Sequence, residues 1–206
     1  MRFLITAGGT REYLDPVRFI SNASSGMMGY ALVRAALAAG HKVTLITAPT
    51  ALRPPKGAKL VPVRSAAGMF HAVKEHFPKC DCLVMAAAVS DYTPARPRRT
   101  KIRRQTGNLM LELKPTPDIL QWAARHKRSG QTLVGFALED KDVRVHAERK
   151  LREKRLDMIV ANAPRAIGAA RSTVHIKMPG SEWMRIAGAP KARIAKRIIT
   201  LAECAT

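Results

Sequence analysis

Aromatic residues are scarce, at 5% of 206 positions, so the chain offers no set of stacking platforms for single-stranded bases. Cysteine is nearly absent: Cys80, Cys82 and Cys204 are an odd set without metal-ligand spacing, which argues against a disulfide framework or a zinc site and predicts reduced thiols. No apolar stretch approaches the roughly 20 residues of a membrane span, because the alanine-rich segment 31–39 stops at Gly40-His41-Lys42. Residues 1–7 hold too short an apolar core for a secretory signal and run straight into Gly8-Gly9. A cytoplasmic protein without a membrane partner is therefore expected. Acidic residues are also few, 15 against 36 Lys and Arg, for a net charge of +21. Such a field draws polyanions. The missing aromatics, and cations spread through 96–104, 144–155 and the final helix, fit an anionic small-molecule site or a generally basic surface as well as they fit nucleic acid.

What is present is globular. Hydrophobic residues make up 47% of the chain, and a chain of this length buries about 70% of its unfolded surface. Strands are predicted at 3–7, 43–47, 60–63, 83–88, 133–136 and 158–161, and helices at 27–39, 66–77, 118–126 and 143–155. This alternation implies an α/β fold: a doubly wound, open, mostly parallel Rossmann-like sheet with ligands beyond the carboxyl ends of its strands. Residues 99–104 and 109–113, around Gln105-Thr106-Gly107-Asn108, predict a projecting hairpin that forms a flap. Segments 173–177 and 183–186 read as antiparallel edge strands before a last helix at 191–203. With no repeat, linker or low-complexity tract, residues 1–206 read as one domain.

Between the first strand and the Ser24-Ser25-Gly26 helix start lie about eighteen residues, too many for a compact G-x-G-x-x-G turn. The serines either cap the helix or face a phosphate with its N–H groups. After the fourth strand, Ala86-Ala87-Ala88 could admit a planar group, and Asp91 either bonds a sugar hydroxyl or caps a turn. Residues 96–104 hold six cations in nine positions, as a solvated face or as a lid strand bringing Lys101 to the site. Lys150 and Lys154 are four apart and share a helix face.

The strings Ile5-Thr6-Ala7-Gly8-Gly9-Thr10-Arg11, Asp15-Pro16-Val17-Arg18-Phe19-Ile20-Ser21-Asn22 and Ser24-Ser25-Gly26 resemble the signature of the phosphopantothenoylcysteine synthetase family. The resemblance continues through 86–92, Lys101-Ile102-Arg103-Arg104, Pro117-Asp118-Ile119-Leu120, Gly135-Phe136-Ala137 and 150–162. It implies a ligase of coenzyme A biosynthesis, in a form lacking the flavin decarboxylase half, with a separate phosphopantothenoylcysteine decarboxylase in the pathway. CTP or ATP, with Mg²⁺ bound mainly through its phosphates, activates 4′-phosphopantothenate for attack by L-cysteine.

By the same resemblance, Asn22 holds the carboxylate or acyl intermediate with backbone near Ala87, and Arg18 supports that loop. Lys101 sits on the triphosphate. Ser24, Ser25, Gly26, Ala86, Ala87, Asp91, Pro117, Asp118, Ile119, Leu120, Phe136, Lys150 and Lys154 line the nucleotide, with no protein-only metal site. A homodimer with mutually completed sites is implied. Departures from the family pattern are Met27 where a basic residue is usual, the mixed Lys-Ile-Arg-Arg flap, Thr116, Leu138, Ala163 and the tail at 168–172. They motivate an alternative, a catalytically degenerate protein binding nucleotide or phosphopantothenate. The charge motivates a more remote one, a basic nucleic-acid binder.

Overall fold

A computed structural model describes residues 1–104 and 106–205. In chain order it contains β1 (Arg2–Ala7), β2 (Arg11–Tyr13), β3 (Phe19–Ser21), α1 (Met27–Ala38), β4 (Lys42–Thr47), β5 (Lys59–Pro62) and α2 (Ala66–His76). These are followed by β6 (Cys82–Met85), β7 (Tyr92–Pro94), β8 (Leu113–Pro115), α3 (Ile119–Arg125), β9 (Thr132–Leu138), α4 (Val143–Glu153) and β10 (Met158–Asn162). The chain closes with β11 (Arg171–Lys177), β12 (Met184–Pro190) and α5 (Lys191–Cys204).

Eight strands form one sheet in the order β12-β11-β10-β9-β6-β1-β4-β5. The six from β5 to β10 are parallel, and β11 and β12 add an antiparallel edge. Counted along the chain, the parallel strands take the doubly wound order 3-2-1-4-5-6, which puts the topological switch point between β1 and β6. Alternation along β1 explains the two-sided core. Phe3, Ile5 and Ala7 pack with α1 and α5, whereas Leu4 joins Ile46, Leu83 and Leu133 under α2, α3 and α4.

Helix α5 buries Ile194, Ala195, Ile198, Ile199 and Ala202, the 3–4 spacing of an amphipathic stripe. It packs on α1, and the His41–Glu203 contact joins the C-terminal ends of the two helices, so they run in the same direction. Among the described residues no helix is long and apolar enough to cross a membrane.

Two local expectations are corrected. Strand β6 ends at Met85 rather than at 88, because the Ala86 N–H turns back to the Val84 carbonyl; Ala88 keeps only a single bridge to Gly9. A projecting hairpin is present, but its paired strands are β7 and β8, at its base. The basic run beyond them holds no strand among the described residues, and Gln105 of the expected turn lies outside them. The physical reason is that the backbone of Ile102 is bonded elsewhere: its N–H donates to Asp15 Oδ2 at 3.0 Å and its carbonyl accepts from Arg18. Leu109 and Leu111 alternate as a strand would, yet lie outside any strand and remain exposed, and Leu113, the first residue of β8, is exposed as well.

Candidate active site

At the switch point the carboxyl ends of β1 and β6 open into a cleft of about 790 Å³. Its floor is the loop after β6, tied to β1 and the turn that follows it. The Ala87 N–H donates to Thr6 Oγ1 at 3.1 Å, Ala88 N–H to the Gly8 carbonyl at 2.9 Å, and Ser90 N–H to Thr10 Oγ1 at 2.9 Å. Thr6 and Thr10 are fully buried, so these hydroxyls anchor the loop from beneath the cleft.

One wall is the start of α1. Gly8 and Gly26 both take left-handed backbone, with φ of 81° and 76°, and a Cβ on Gly26 would lie 3.4 Å from the Gly8 nitrogen. A Cβ on Gly29 would lie 2.5 Å from the Ala7 Cβ. Gly8, Gly26 and Gly29 thus mark close approaches between the end of β1 and the start of α1, although the β2–β3 hairpin intervenes in sequence. Neither serine caps the helix: the N-cap is Gly26 without a side-chain bond, and Ser24 Oγ accepts the Gly26 N–H at 3.3 Å. Met27, Met28 and Gly29, in the first turn of α1, line the cleft.

The opposite wall comes from α3 and α4. Asp118 caps α3 by accepting the Gln121 N–H at 2.9 Å and pairs with Lys154. Burial alone would raise the pKa of Asp118; the Lys154 hydrogen bond, helped by Gln121 N–H and Lys150, outweighs it and holds the carboxyl below its ordinary value. Lys150 donates to the Phe136 carbonyl at 2.8 Å, and burial lowers its pKa against the opposing pull of Glu139, Asp118 and Asp91. Asn22, exposed at the mouth, donates its amide to the Val89 carbonyl at 3.1 Å, which leaves a carbonyl oxygen and a second N–H for a ligand.

Of the residues expected from sequence, Asn22, Ser24, Ser25, Gly26, Ala86, Ala87, Asp91, Pro117, Asp118, Ile119, Leu120, Phe136, Lys150 and Lys154 all line this cleft. Arg18 and Lys101 do not; they line a separate cavity of about 610 Å³ with Ile102, Arg103 and Arg104. Arg18 is bound to Asp15, Nη2 to Oδ2 at 2.8 Å, and to the Ile102 carbonyl, so it braces the root of the basic run.

Sequence reasoning passed over Asp15 and Lys191 as functional groups. The buried Asp15 carboxylate accepts N–H bonds from Ile102, Val17 and Arg18 and is held far below the usual carboxylate range, with the Ile102 bond as the largest cause. Its bonds to Val17 and Arg18 form an Asx-type turn, a signal readable in Asp-Pro-Val-Arg. Lys191, which lines the cleft from the start of α5, has no local signature. Among the described residues no three His, Cys, Asp or Glu side chains are grouped to hold a metal ion.

The model of the DNA/pantothenate metabolism flavoprotein C-terminal domain matches residues 1–204. A curated protein named cysteine/cysteine sulfinic acid decarboxylase, from an unknown prokaryotic organism, is 43% identical over 209 residues, 97% of this chain and 58% of that protein. The coenzyme A biosynthesis bifunctional protein CoaBC of Bacillus subtilis (strain 168) is 48% identical over 167 residues, 81% of this chain and 41% of that protein. The chain therefore spans about half the length of these curated relatives. The crystal structure of the C-terminal domain of coenzyme A biosynthesis bifunctional protein CoaBC is 38% identical, with a TM-score of 0.85, covering 98% of this chain and 94% of that one.

Proposed function

The chain belongs to the DNA/pantothenate metabolism flavoprotein C-terminal domain family, and from that premise we propose that it joins 4′-phosphopantothenate to L-cysteine in coenzyme A biosynthesis, consuming CTP or ATP. The observation that carries this reading is one cleft with Asn22 at its mouth, the start of α1 on one wall, and Asp118, Lys150 and Lys154 on the other. The decarboxylase name of one relative is not carried over, since this chain spans 58% of that protein.

The chemistry follows from what a carboxylate lacks, a leaving group. One carboxylate oxygen attacks the α-phosphorus of the triphosphate, and pyrophosphate departs with the bonding pair. The cysteine amine then adds to the acyl carbon and loses a proton, and the nucleoside monophosphate leaves. Negative charge grows on phosphate and acyl oxygens in both steps, where fixed N–H donors and cations are worth most.

In this reading Asn22, steadied by Val89, and backbone around Ala87 hold the acyl group. Ser24, Ser25, Gly26 and the N–H groups of α1 take phosphate. Asp91 bonds the ribose, Ala86, Pro117, Asp118, Ile119 and Leu120 flank the nucleoside, Phe136 meets the base, and Lys150 and Lys154 supply charge. The cleft carboxylates fit an Mg²⁺ brought in on phosphate oxygens rather than a protein cage, since Asp118 is already paired with Lys154. When bound, the ion supplies neutralisation of the departing pyrophosphate.

Lys101 lies outside this cleft, so we assign its phosphate contact to a homodimer in which the exposed arm reaches the neighbouring copy. Tyr92, Leu109, Met110, Leu111 and Leu113 are apolar side chains left bare on that arm. We also read residues 1–206 as one cytoplasmic domain whose product is the substrate of a phosphopantothenoylcysteine decarboxylase, and its charge as serving anionic substrates rather than specific nucleic acid.

The test is pyrophosphate release with 4′-phosphopantothenate, Mg²⁺ and either CTP or ATP, with and without cysteine. Release that requires phosphopantothenate, with monophosphate accumulating once cysteine is added, is expected and names the nucleotide. Asn22→Asp and Lys101→Gln should each lower turnover by about 10²-fold, the scale of one lost oxyanion or charge contact. Full turnover in either would refute its role. Met27, an apolar side chain in the first turn of α1, favours a second reading of binding without ligation, which nucleotide affinity with no pyrophosphate release would establish.

A further inference from the structure

Lys191 stands where elementary electrostatics disfavours a cation. It is the first residue of α5, at the positive end of the helix dipole, with no acidic residue in that turn. It is 8% exposed, and its ammonium makes one hydrogen bond, to the Ala166 carbonyl at 3.0 Å. Burial alone lowers its pKa, and among the described residues no carboxylate pulls the other way. A buried ammonium without a counter-charge is costly, yet this one lines the cleft rather than a closed core.

The surroundings add to the same field. α1 and α5 run in the same direction, their C-terminal ends joined by His41 and Glu203, so their N-terminal ends come to the same rim. The start of α1 has no side-chain cap. Both helices pack on the sheet face opposite the one that carries α4. Positive potential therefore flanks the carboxyl edge of the sheet from both sides, with Lys150 and Lys154 on one and Lys191 with the α1 N-terminus on the other.

We propose that Lys191 is a ligand-binding residue that receives a phosphate group on the α1–α5 side of the cleft, across the sheet edge from Lys150 and Lys154. The inference deepens the ligase reading and rests on it for the identity of the ligand. The shared chemistry is a phosphoryl oxyanion, brought either by the triphosphate of the nucleotide or by the phosphomonoester of phosphopantothenate. An anion there would supply the missing counter-charge and remaining acceptors of the Lys191 ammonium.

The experiment is titration calorimetry on the full chain and on Lys191→Met with three probes: Mg²⁺–CTP or Mg²⁺–ATP, 4′-phosphopantothenate, and inorganic tripolyphosphate. A ten- to hundredfold loss of affinity for one substrate is expected, and the arm that weakens names the phosphate. A cooperatively folding Lys191→Met that binds all three within twofold of the unmodified chain overturns the inference. Should the variant not fold, acylation of Lys191 in the unmodified chain by an amine-reactive ester, read by peptide mass spectrometry, decides. Protection of at least tenfold by saturating ligand supports the inference, and no protection by any probe overturns it. Substrate binding that ignores Lys191 removes this inference and leaves the ligase reading intact. Tripolyphosphate binding through Lys191 in a chain that binds neither substrate does the reverse.

Discussion

Two helix glycines should answer the same substitution with opposite signs. In Gly29→Ala the new methyl would sit 2.5 Å from the Ala7 Cβ and 3.0 Å from the Thr6 carbonyl oxygen. Carbon atoms settle at about 3.5–4.0 Å, so α1 or β1 must retreat by on the order of 1 Å. Alanine regains about 0.8–1.0 kcal/mol of helix propensity, while overpacking of a closed core costs about 1–3 kcal/mol. Backbone and buried Ala7 on one side, with α5 on the other, leave little room to yield, so a net loss of about 1–2 kcal/mol is expected. At about 2–4 °C per kcal/mol for a chain of this size, that is a drop in Tm of about 2–8 °C.

In Gly68→Ala the methyl meets Ser65 Oγ at 3.5 Å and Val63 Cβ at 3.8 Å, ordinary contacts, and the capping bond from Gly68 N–H to Ser65 survives. That variant should gain about 0.5–1 kcal/mol. Urea unfolding with unchanged m-values reads both. Nucleotide affinity should fall in Gly29→Ala alone, because only there does the open helix start leave its place. Equal signs for the two variants, or a Gly29→Ala protein as stable as its parent, would refute the packing argument.

The basic run is pinned through Asp15, so Asp15→Asn, which weakens the Ile102 N–H and Arg18 contacts, should speed tryptic cleavage at residues 98–104 in the folded protein; unchanged cleavage would show that Asp15 does not hold it. The carboxyl of Asp15 has its folded-state pKa depressed, so its contribution is fully present above the ordinary carboxylate pKa near 4 and is lost as pH falls through the lower folded value. Asp118 carries the same sign: its pKa is also lowered in the folded chain, net of burial. Its pair with Lys154 is half exposed and worth about 0.5–1 kcal/mol. Asp118→Asn, which keeps the α3 cap, should flatten the fall in stability as pH drops below the ordinary carboxylate value of about 4, whereas Asp118→Ala should lose about 1 kcal/mol more with the cap. Parallel pH curves for Asp118→Asn and its parent would remove the ion pair from the account.

Much of the sheet was legible because its strands carry the pattern of burial on both faces, and helices such as α5 carry a clean 3–4 stripe. That the residues expected at the site share one cleft has a related reason. They occupy strand ends and helix starts, the places that a doubly wound sheet brings to one edge, so locating those ends locates the cleft. The basic run was not legible as structure. Its fate depends on Asp15, 87 residues away, which takes the Ile102 N–H that a strand would have offered to a partner.

Distance along the chain does not measure distance in the fold. A motif rule that counts residues finds Gly8 and Gly26 too far apart for a phosphate-binding turn. The folded chain sends the β2–β3 hairpin out and back, so that Gly26 returns to within contact of Gly8 across the insertion. What this approach requires is the absence of a Cβ at contacts of 2.5–3.4 Å between the start of α1 and the end of β1. The intervening residues are then free to do other work, and here Asp15 and Arg18 use that freedom to bind the basic run beside the cleft.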